Sequence, residues 1–153
     1  MTQPVRILFV CHGNICRSTM AEFVMKDMVA KRGLADRFHI ESAATSTEEI
    51  GSPVYPGTRK ILEREGIDCS GKRARQMRRD DYEKFDLLIG MDSANERNMR
   101  RMLGGDPEGK VHKLLEFAGS ESDIADPWYT GDFETTYDDV LAGCTGLLGY
   151  LGY

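Results

Sequence analysis

Short runs of apolar residues alternate along the chain with longer segments in which apolar positions recur at steps of three and four. The apolar runs predict buried strands, and the recurring positions predict amphipathic helices. The predicted strands cover 6–10, 38–43, 86–91 and 111–115, and the predicted helices cover 18/19–31, 58–65, 80–84, 93–103 and 133/134–151. Strands that alternate with helices indicate an α/β fold, in which helices cover both faces of a parallel sheet. Ligands of such sheets bind at the carboxyl ends of the strands.

The first predicted strand ends at a cysteine, and a short polar loop connects it to the first predicted helix. The loop reads Cys11-His12-Gly13-Asn14-Ile15-Cys16-Arg17-Ser18. Backbone N–H groups of a glycine-containing loop at a helix N-terminus bind phosphate-like anions, and an arginine fork binds two phosphate oxygens. The same positive surroundings favour the thiolate form of cysteine, which is the nucleophilic form. We therefore expect a phosphate-binding loop with Cys11 as nucleophile and Arg17 as clamp.

Three further residues of this loop have predicted roles. Gly13 permits backbone conformations that are closed to other residues, and Asn14 tolerates the left-handed conformation better than most non-glycine residues. The Ser18 hydroxyl can hydrogen-bond to the Cys11 sulfur, and it can equally be a plain N-cap of the helix. The sequence leaves both interpretations of Ser18 open.

A cysteine and an arginine with the same spacing occur a second time, at Cys69 and Arg75. No buried strand is predicted before Cys69, and Gln76 follows Arg75 where a helix-capping hydroxyl residue would be expected. Free cysteines usually pack like small apolar residues. We therefore expect a structural role for Cys69, and the spacing alone does not identify a site.

Hydrolysis of a phosphate monoester also needs an acid that protonates the leaving oxygen, and two Asp-Pro pairs are candidates. Asp106 lies in a glycine-rich segment that is typical of a surface turn. Asp126 is followed closely by Trp128 and Tyr129, so this segment offers both a carboxylic acid and an aromatic surface for a substrate ring. We predict Asp126 as the general acid. The candidates over which it is preferred are Asp123, Asp132, Asp138 and Asp139.

The whole chain sets outer limits on the function. Its 153 residues are enough for a domain with its own core, and we expect a single domain over 1–153. Twenty basic against 25 acidic side chains argue against nucleic acid as a partner. No run approaches the roughly 18 apolar residues of a membrane span. Four cysteines without a signal-like start favour a cytoplasmic protein, and three scattered histidines do not have the spacing of a metal site.

The loop and the Asp126 segment resemble the low-molecular-weight protein tyrosine phosphatases. The resemblance rests on 10–18 (VCHGNICRS), 20–22 (MAE) and 126–129 (DPWY), and on weaker likeness at 42–46, 74–76 and 85–88. It implies a three-layer sandwich with a central four-stranded parallel sheet, no cofactor, no metal and a phosphocysteine intermediate. It assigns Cys11 as nucleophile, Arg17 as transition-state clamp and Asp126 as acid and then base, with Asn14 and Ser18 ordering the loop and supporting the thiolate.

The resemblance also implies the ligands of the site. The substrate would be a tyrosine-phosphorylated protein or a small aryl phosphate, and phosphate or vanadate would bind as the active-site anion. The phosphate-binding and substrate-binding residues would be His12, Gly13, Asn14, Ile15, Cys16, Ser18, Glu48, Trp128 and Tyr129.

Four residues depart from the pattern of the family. Thr19 stands where a proline is usual, and either residue can open a helix. Lys72 stands where some members carry a histidine bonded to the loop asparagine, which leaves the support of Asn14 open. Glu48 and His12 make the rim of the cleft more polar, which indicates an altered substrate choice without a change of chemistry.

Three alternative functions remain open. An arsenate reductase of the same fold would pass oxidation along further cysteines, but Cys69 and Cys144 are far apart in the sequence. A phosphoarginine phosphatase resembles this family with threonine at the position of Ile15, whose apolar side chain offers no hydroxyl. A non-catalytic phosphate-binding module would need neither the thiol nor the acid. The five-residue spacing of Cys11 and Cys16 also allows a reversible disulfide, or a packing role for Cys16 alone.

Overall fold

The computed structural model describes residues 3–153, so Met1 and Thr2, which the predicted domain 1–153 includes, lie outside the described residues. The strands are β1 (Val5–Cys11), β2 (Phe38–Ala44), β3 (Leu87–Gly90) and β4 (Val111–Lys113). The α-helices are α1 (Arg17–Lys31), α2 (Pro56–Arg64), α3 (Asp81–Lys84), α4 (Ser93–Leu103), α5 (Pro127–Thr130) and α6 (Phe133–Tyr150), and two 3₁₀ helices cover Ala35–Arg37 and Leu114–Ala118. Within 3–153, no helix has the length and apolar character needed to cross a membrane.

The four strands form one parallel sheet in the order β2-β1-β3-β4. β1 pairs with β2 along its whole length, from Val5 to Cys11, and with β3 from Ile7 to Val10. β2 and β4 lie at the two edges of the sheet. Because all strands run in the same direction, their carboxyl ends lie along one edge, and Cys11 is at that edge. The predicted α/β fold class is confirmed.

β1 is buried on both faces because its alternate side chains enter two different hydrophobic clusters. Ile7 and Phe9 pack in the larger cluster with residues of α1, α2 and α6. Leu8 and Val10 pack in the smaller cluster with residues of α3 and α4. Successive side chains of a strand point to opposite faces of the sheet, so the helices form a layer on each side. The protein is a three-layer sandwich.

Two elements differ from the expectation. β4 ends at Lys113 instead of 115, because Leu114 and Leu115 turn into the second 3₁₀ helix, which packs against α6. This packing is close, since a Cβ atom on Gly143 would lie 2.4 Å from Leu114 Cγ. A short apolar run does not distinguish a strand from a buried turn. The second difference is α5, a single helical turn where no helix was predicted.

Candidate active site

The predicted phosphate-binding loop connects the carboxyl end of β1 to the N-terminus of α1. Cys11 is the last residue of β1 and Arg17 is the first residue of α1. Asn14 has a φ of 59° and is the one non-glycine residue in 3–153 with a positive φ. Gly13 does not have a left-handed backbone, and a Cβ atom there would meet Glu49 Cγ at an ordinary 3.6 Å. The left-handed backbone conformation of this loop therefore occurs at Asn14 and not at Gly13.

The peptide groups of the loop are oriented by their neighbours. The Cys11 and His12 carbonyls accept hydrogen bonds from the N–H groups of Thr45 and Ser46, which follow β2. Within 3–153, no backbone N–H between positions 12 and 18 donates to another protein group. Because C=O and N–H of one trans peptide point in opposite directions, outward carbonyls direct the N–H groups to the interior of the loop. Such a cradle at a helix N-terminus suits a phosphate-like anion.

The Cys11 sulfur has a hydroxyl neighbour. Its Sγ atom lies 3.1 Å from Ser18 Oγ, and both residues are buried. Asn14 Nδ2 donates to the same oxygen at 2.8 Å. Among residues 3–153 the Ser18 hydroxyl hydrogen has no other acceptor, so it can point at the sulfur when Cys11 is a thiolate. Ser18 is not the N-cap of α1, since Cys16 has that position, and the plain N-cap interpretation is wrong.

Asn14 is held by residues from two other segments, which the sequence did not single out as part of the site. Its Nδ2 donates to Ser42 Oγ at 2.9 Å, and its Oδ1 accepts from the Arg75 N–H at 3.2 Å. Ser42 Oγ in turn donates to Glu22, a carboxylate that is 3% exposed. Buried networks whose members are all bonded are rigid. The one left-handed residue of the loop is therefore fixed in orientation.

Lys72 supports this network from one step further away. Its Nζ donates to the Ser42 carbonyl at 2.9 Å and lies 3.3 Å from Glu22 Oε1. Burial lowers the pKa of Lys72, and the Glu22 carboxylate opposes that shift. The lysine thus bonds to the residues that hold Asn14 and not to Asn14 itself. Lys72 therefore supports Asn14 indirectly, through Ser42 and Glu22.

Arg17 is oriented by two protein acceptors. Its Nη1 donates to Asp92 Oδ2 at 2.7 Å and to the Ile124 carbonyl at 2.8 Å, and its side chain is 3% exposed. Burial opposes the charge, but the negative charge of Cys11 and the bond to Asp92 raise the pKa of Arg17 above its ordinary value. Asp92 was not among the residues predicted for the site. Its Oδ1 caps α4 by accepting from the Asn95 N–H, while its other oxygen holds Arg17.

Asp126 reaches the cleft from the start of α5. It is the N-cap of that helix, and its Oδ1 accepts from the Trp128 N–H at 3.1 Å. Its Oδ2 lies 3.5 Å from Arg17 Nη2, so this oxygen faces the anion cradle. The neighbouring candidates are engaged elsewhere, because Asp123 pairs with a lysine and Asp132 caps α6.

One cleft brings most of the predicted site residues together. It is lined by Cys11, His12, Gly13, Ile15, Cys16, Arg17, Glu48, Glu49, Asp126, Trp128 and Tyr129. The other two predicted residues, Asn14 and Ser18, are buried beside the loop and support it. Glu49 was missed, although it is adjacent to a predicted residue. At the rim, His12 Nε2 lies 2.9 Å from Glu48 Oε2, so the entrance to the cleft has a polar side.

The four cysteines are all buried free thiols, and they form two groups. Cys11 and Cys16 line the cleft, whereas Cys69 and Cys144 pack in the larger hydrophobic cluster and are not among the residues that line the cleft. Burial raises the pKa of Cys16 to about 12, and the negative charge of Cys11 adds to the shift. Cys16 is therefore a protonated thiol at neutral pH. A Cys11–Cys16 disulfide stays a hypothesis, and Cys69 has the packed position that we expected.

Fold and cleft together define a class, the α/β proteins in which a cysteine at the end of the first strand opens a phosphate-binding loop. Residues 6–152 match the family described as low molecular weight phosphotyrosine protein phosphatase. This chain belongs to that family, which confirms the resemblance found in the sequence. The protein-tyrosine-phosphatase YfkJ of Bacillus subtilis is 40% identical over 146 residues, or 94% of each chain.

Solved structures agree with this placement. The crystal structure of YfkJ has a TM-score of 0.94 at 39% identity, covering 98% of this chain and 96% of YfkJ. The tyrosine phosphatase SP-PTP from Streptococcus pyogenes has a TM-score of 0.86 at 42% identity, covering 97% and 94%. The Drosophila arginine phosphatase DARP has a TM-score of 0.87 at 26% identity, covering 96% and 98%. Likeness of fold therefore does not by itself separate the two substrate classes.

Proposed function

We propose that this protein, as a single domain over 1–153, is a phosphatase that hydrolyses phosphotyrosine monoesters through a phosphocysteine intermediate. One observation carries the proposal, namely that the Cys11 thiol, the Arg17 guanidinium and the Asp126 carboxyl line the same cleft. Membership of the family and the names of the relatives YfkJ and SP-PTP support the same conclusion.

In the first step, the Cys11 thiolate attacks the phosphorus of the bound ester. An S–P bond forms while the P–O bond to the aromatic ring breaks, and Asp126 gives its proton to the leaving phenolate oxygen. The loop N–H groups and Arg17 hold the phosphoryl oxygens throughout, because they are directed at the position where negative charge spreads. The products are a neutral phenol and a phosphocysteine at position 11.

In the second step, water hydrolyses the phosphocysteine. Asp126, now a carboxylate, removes a proton from the attacking water, whose oxygen bonds to phosphorus as the S–P bond breaks. The electron pair returns to Cys11 as a thiolate, and the Ser18 hydroxyl, 3.1 Å from the sulfur, stabilises that charge. Inorganic phosphate leaves, and Asp126 is again protonated for the next cycle.

The lining of the cleft favours phosphotyrosine over phosphoarginine. Ile15 presents an apolar side chain to the cleft and is 8% exposed. Trp128 and Tyr129 add aromatic surface for a phenyl ring. The expected partner is a tyrosine-phosphorylated protein or a small aryl phosphate, and phosphate and vanadate are expected to compete for the loop.

A reducing compartment suits this chemistry. The proposed nucleophile acts only as a reduced thiol, and all four cysteines of the chain are free thiols. We therefore propose a cytoplasmic location. Fractionation of cells that express the protein is expected to recover it with cytoplasmic markers.

Parallel turnover of several substrates tests the proposal. Phosphotyrosine, phosphoarginine and phosphoserine peptides are compared with thiol-dependent reduction of arsenate. We expect phosphate release from the phosphotyrosine peptide, with inhibition by vanadate. Faster turnover of phosphoarginine than of phosphotyrosine would mean that the protein is a phosphoarginine phosphatase. Reduction of arsenate would indicate a reductase, and binding of phosphate without any turnover would indicate a binding module.

Asp126→Asn tests the assignment of the acid. We expect kcat/KM for phosphotyrosine to fall roughly 10²–10⁴-fold, the range typical of general acid catalysis. Asp132→Asn is the matched control, because Asp132 caps α6 and asparagine caps helices equally well. A larger loss in Asp132→Asn than in Asp126→Asn would show that the wrong acid has been chosen.

A further inference from the structure

Tyr55 lies between the phosphate-binding loop and the segment that carries Asp126. Its backbone N–H donates to the Ile15 carbonyl at 2.9 Å, which joins it to the loop. Its ring meets the Trp128 ring edge to face, with 5.1 Å between centroids, and stacks on Phe133 at 5.8 Å and 9°. Trp128 is in α5 and Phe133 is the first residue of α6. The tyrosine ring therefore contacts both α5 and the start of α6.

Trp128 is also the residue that holds the carboxyl group of Asp126. Its N–H donates to Asp126 Oδ1 at 3.1 Å, and Oδ2 is left facing Arg17 at 3.5 Å. The position of the Trp128 backbone therefore decides where Asp126 Oδ2 lies. The Trp128 ring, 53% exposed, has a stacking partner in Tyr55.

Phe133 packs tightly against the start of α2. A Cβ atom on Gly57 would lie 2.4 Å from Phe133 Cζ, so only glycine leaves room for the ring. Gly57 is in the first turn of α2, directly after Tyr55 and Pro56. The same short segment thus provides the ring that contacts Trp128 and the space that accepts Phe133.

From this geometry we propose that Tyr55 is a positioning residue for the general acid. It ties the Asp126 segment to the phosphate-binding loop through Trp128 and Phe133, and so sets the distance between Asp126 and the leaving oxygen. The inference rests on the proposed function, because it concerns the acid of that reaction. Of the four residues of α5, only Pro127 is buried, and Tyr129 is 83% exposed, so the contact with Tyr55 restrains a Trp128 side chain that is otherwise largely exposed.

Leaving-group dependence tests the proposal. Protonation of the leaving oxygen matters for phosphotyrosine and matters little for 2,4-dinitrophenyl phosphate, whose phenolate is already stable. In Tyr55→Ala we expect kcat/KM for phosphotyrosine to fall about tenfold, a part of the full general-acid effect, and that for the activated ester to fall at most about twofold. Tyr55→Phe should restore phosphotyrosine turnover, because ring and backbone make the contacts. Tyr55→Ala should cause no further loss in Asp126→Asn.

Fluorescence gives a readout that does not depend on activity. Trp128 is the single tryptophan of the chain, so its quenching by acrylamide reports on this contact alone. We expect stronger quenching in Tyr55→Ala and wild-type quenching in Tyr55→Phe. The matched control is Tyr153→Ala, which removes a similar edge contact, 5.4 Å from Phe38, at the opposite end of the sheet.

The possible outcomes separate the two proposals. Equal losses on both esters in Tyr55→Ala, or unchanged quenching of Trp128, would reject the positioning role while the phosphatase assignment stands. A wild-type protein that hydrolyses neither ester would reject the phosphatase assignment and, with it, the role of Tyr55. Thermal unfolding of each variant gives the temperature range in which it is folded, and turnover and quenching are compared only within that range. If Tyr55→Ala has no such range, Tyr55→Leu takes its place in both measurements.

Discussion

A cysteine and an arginine separated by five residues occur twice in this protein, and the two segments differ in structure and in position relative to the cleft. At 11–17 the cysteine ends a central strand, the arginine begins a helix of 15 residues, and both side chains line the cleft. At 69–75 the cysteine packs in the core, and the arginine side chain bonds to Asp81 and Glu41. The same spacing therefore has different consequences, because the elements at its two ends differ.

The second segment nevertheless contributes to the first. The Arg75 N–H bonds to the side chain of Asn14, and Lys72 bonds to the Ser42 carbonyl and approaches Glu22. It is therefore a support for the phosphate-binding loop and has no anion cradle of its own. A spacing motif therefore identifies a site only together with the strand before it and the helix after it.

The largest contrast is expected between the two cysteines. Cys11→Ser should abolish turnover, since a serine hydroxyl in this loop is not activated as the thiol is, whereas Cys69→Ser should stay within about threefold of wild type. Phosphate release measures activity, and vanadate binding measured by calorimetry shows whether the loop of Cys11→Ser is intact. If Cys69→Ser lost activity while it remained folded, the two segments would not differ as described.

The two arginines should differ next most strongly. Arg17→Lys replaces a planar fork by a point charge, and we expect kcat/KM to fall roughly 10²–10³-fold. Arg75→Lys leaves the backbone N–H on Asn14 in place but weakens the bond to Asp81, whose side chain is 2% exposed. It should lower the free energy of unfolding by about 1–3 kcal/mol and change kcat/KM by less than about threefold. Kinetics and urea unfolding are measured on both variants. A larger loss of kcat/KM in Arg75→Lys than in Arg17→Lys would contradict the comparison.

The smallest expected effect is at Lys72. Lys72→Met removes the bond to the Ser42 carbonyl but leaves Glu22 paired with Lys26 at 2.6 Å. We expect the free energy of unfolding to fall by about 1–2 kcal/mol and kcat/KM to fall less than about tenfold. Urea unfolding and phosphotyrosine turnover measure the two quantities. A loss as large as that of Arg17→Lys would mean that Lys72 acts on the reaction directly.

The main elements of the fold could be predicted from local patterns. β1 is a continuous apolar run, and α1 and α6 have apolar residues at helical steps, so each was predicted within about two residues of its observed bounds. The end of β4 was not predictable, because Leu114 is apolar in either conformation and its contact with Gly143 of α6 is formed by distant parts of the chain. α5 has four residues, which are too few to show the three- and four-residue spacing of apolar positions that predicts a helix.

The residues of the candidate site also fall into some that local sequence could predict and others that it could not. The roles proposed for Cys11, Arg17 and Asp126 depend on the chemistry of their own side chains, and local sequence was enough to nominate them. Asp92, Ser42 and Glu22 act by holding other residues, and nothing in the local sequence around Ser42 and Glu22 indicates this. A weak signal existed for Asp92, since it follows a strand that neighbours β1 and therefore lies at the same edge of the sheet.

The succession of strands and helices, the phosphate-binding loop, its thiol and its arginine could be predicted from sequence, because these depend on residues that are close along the chain. The residues that hold that loop are known only from the folded structure. Asn14 bonds across 28 positions to Ser42 and across 61 positions to Arg75, and Tyr55 joins the loop to the segment of Asp126. Hydrogen bonds and ring contacts depend on distances in space, and parallel strands with crossovers bring remote segments to one edge of the sheet.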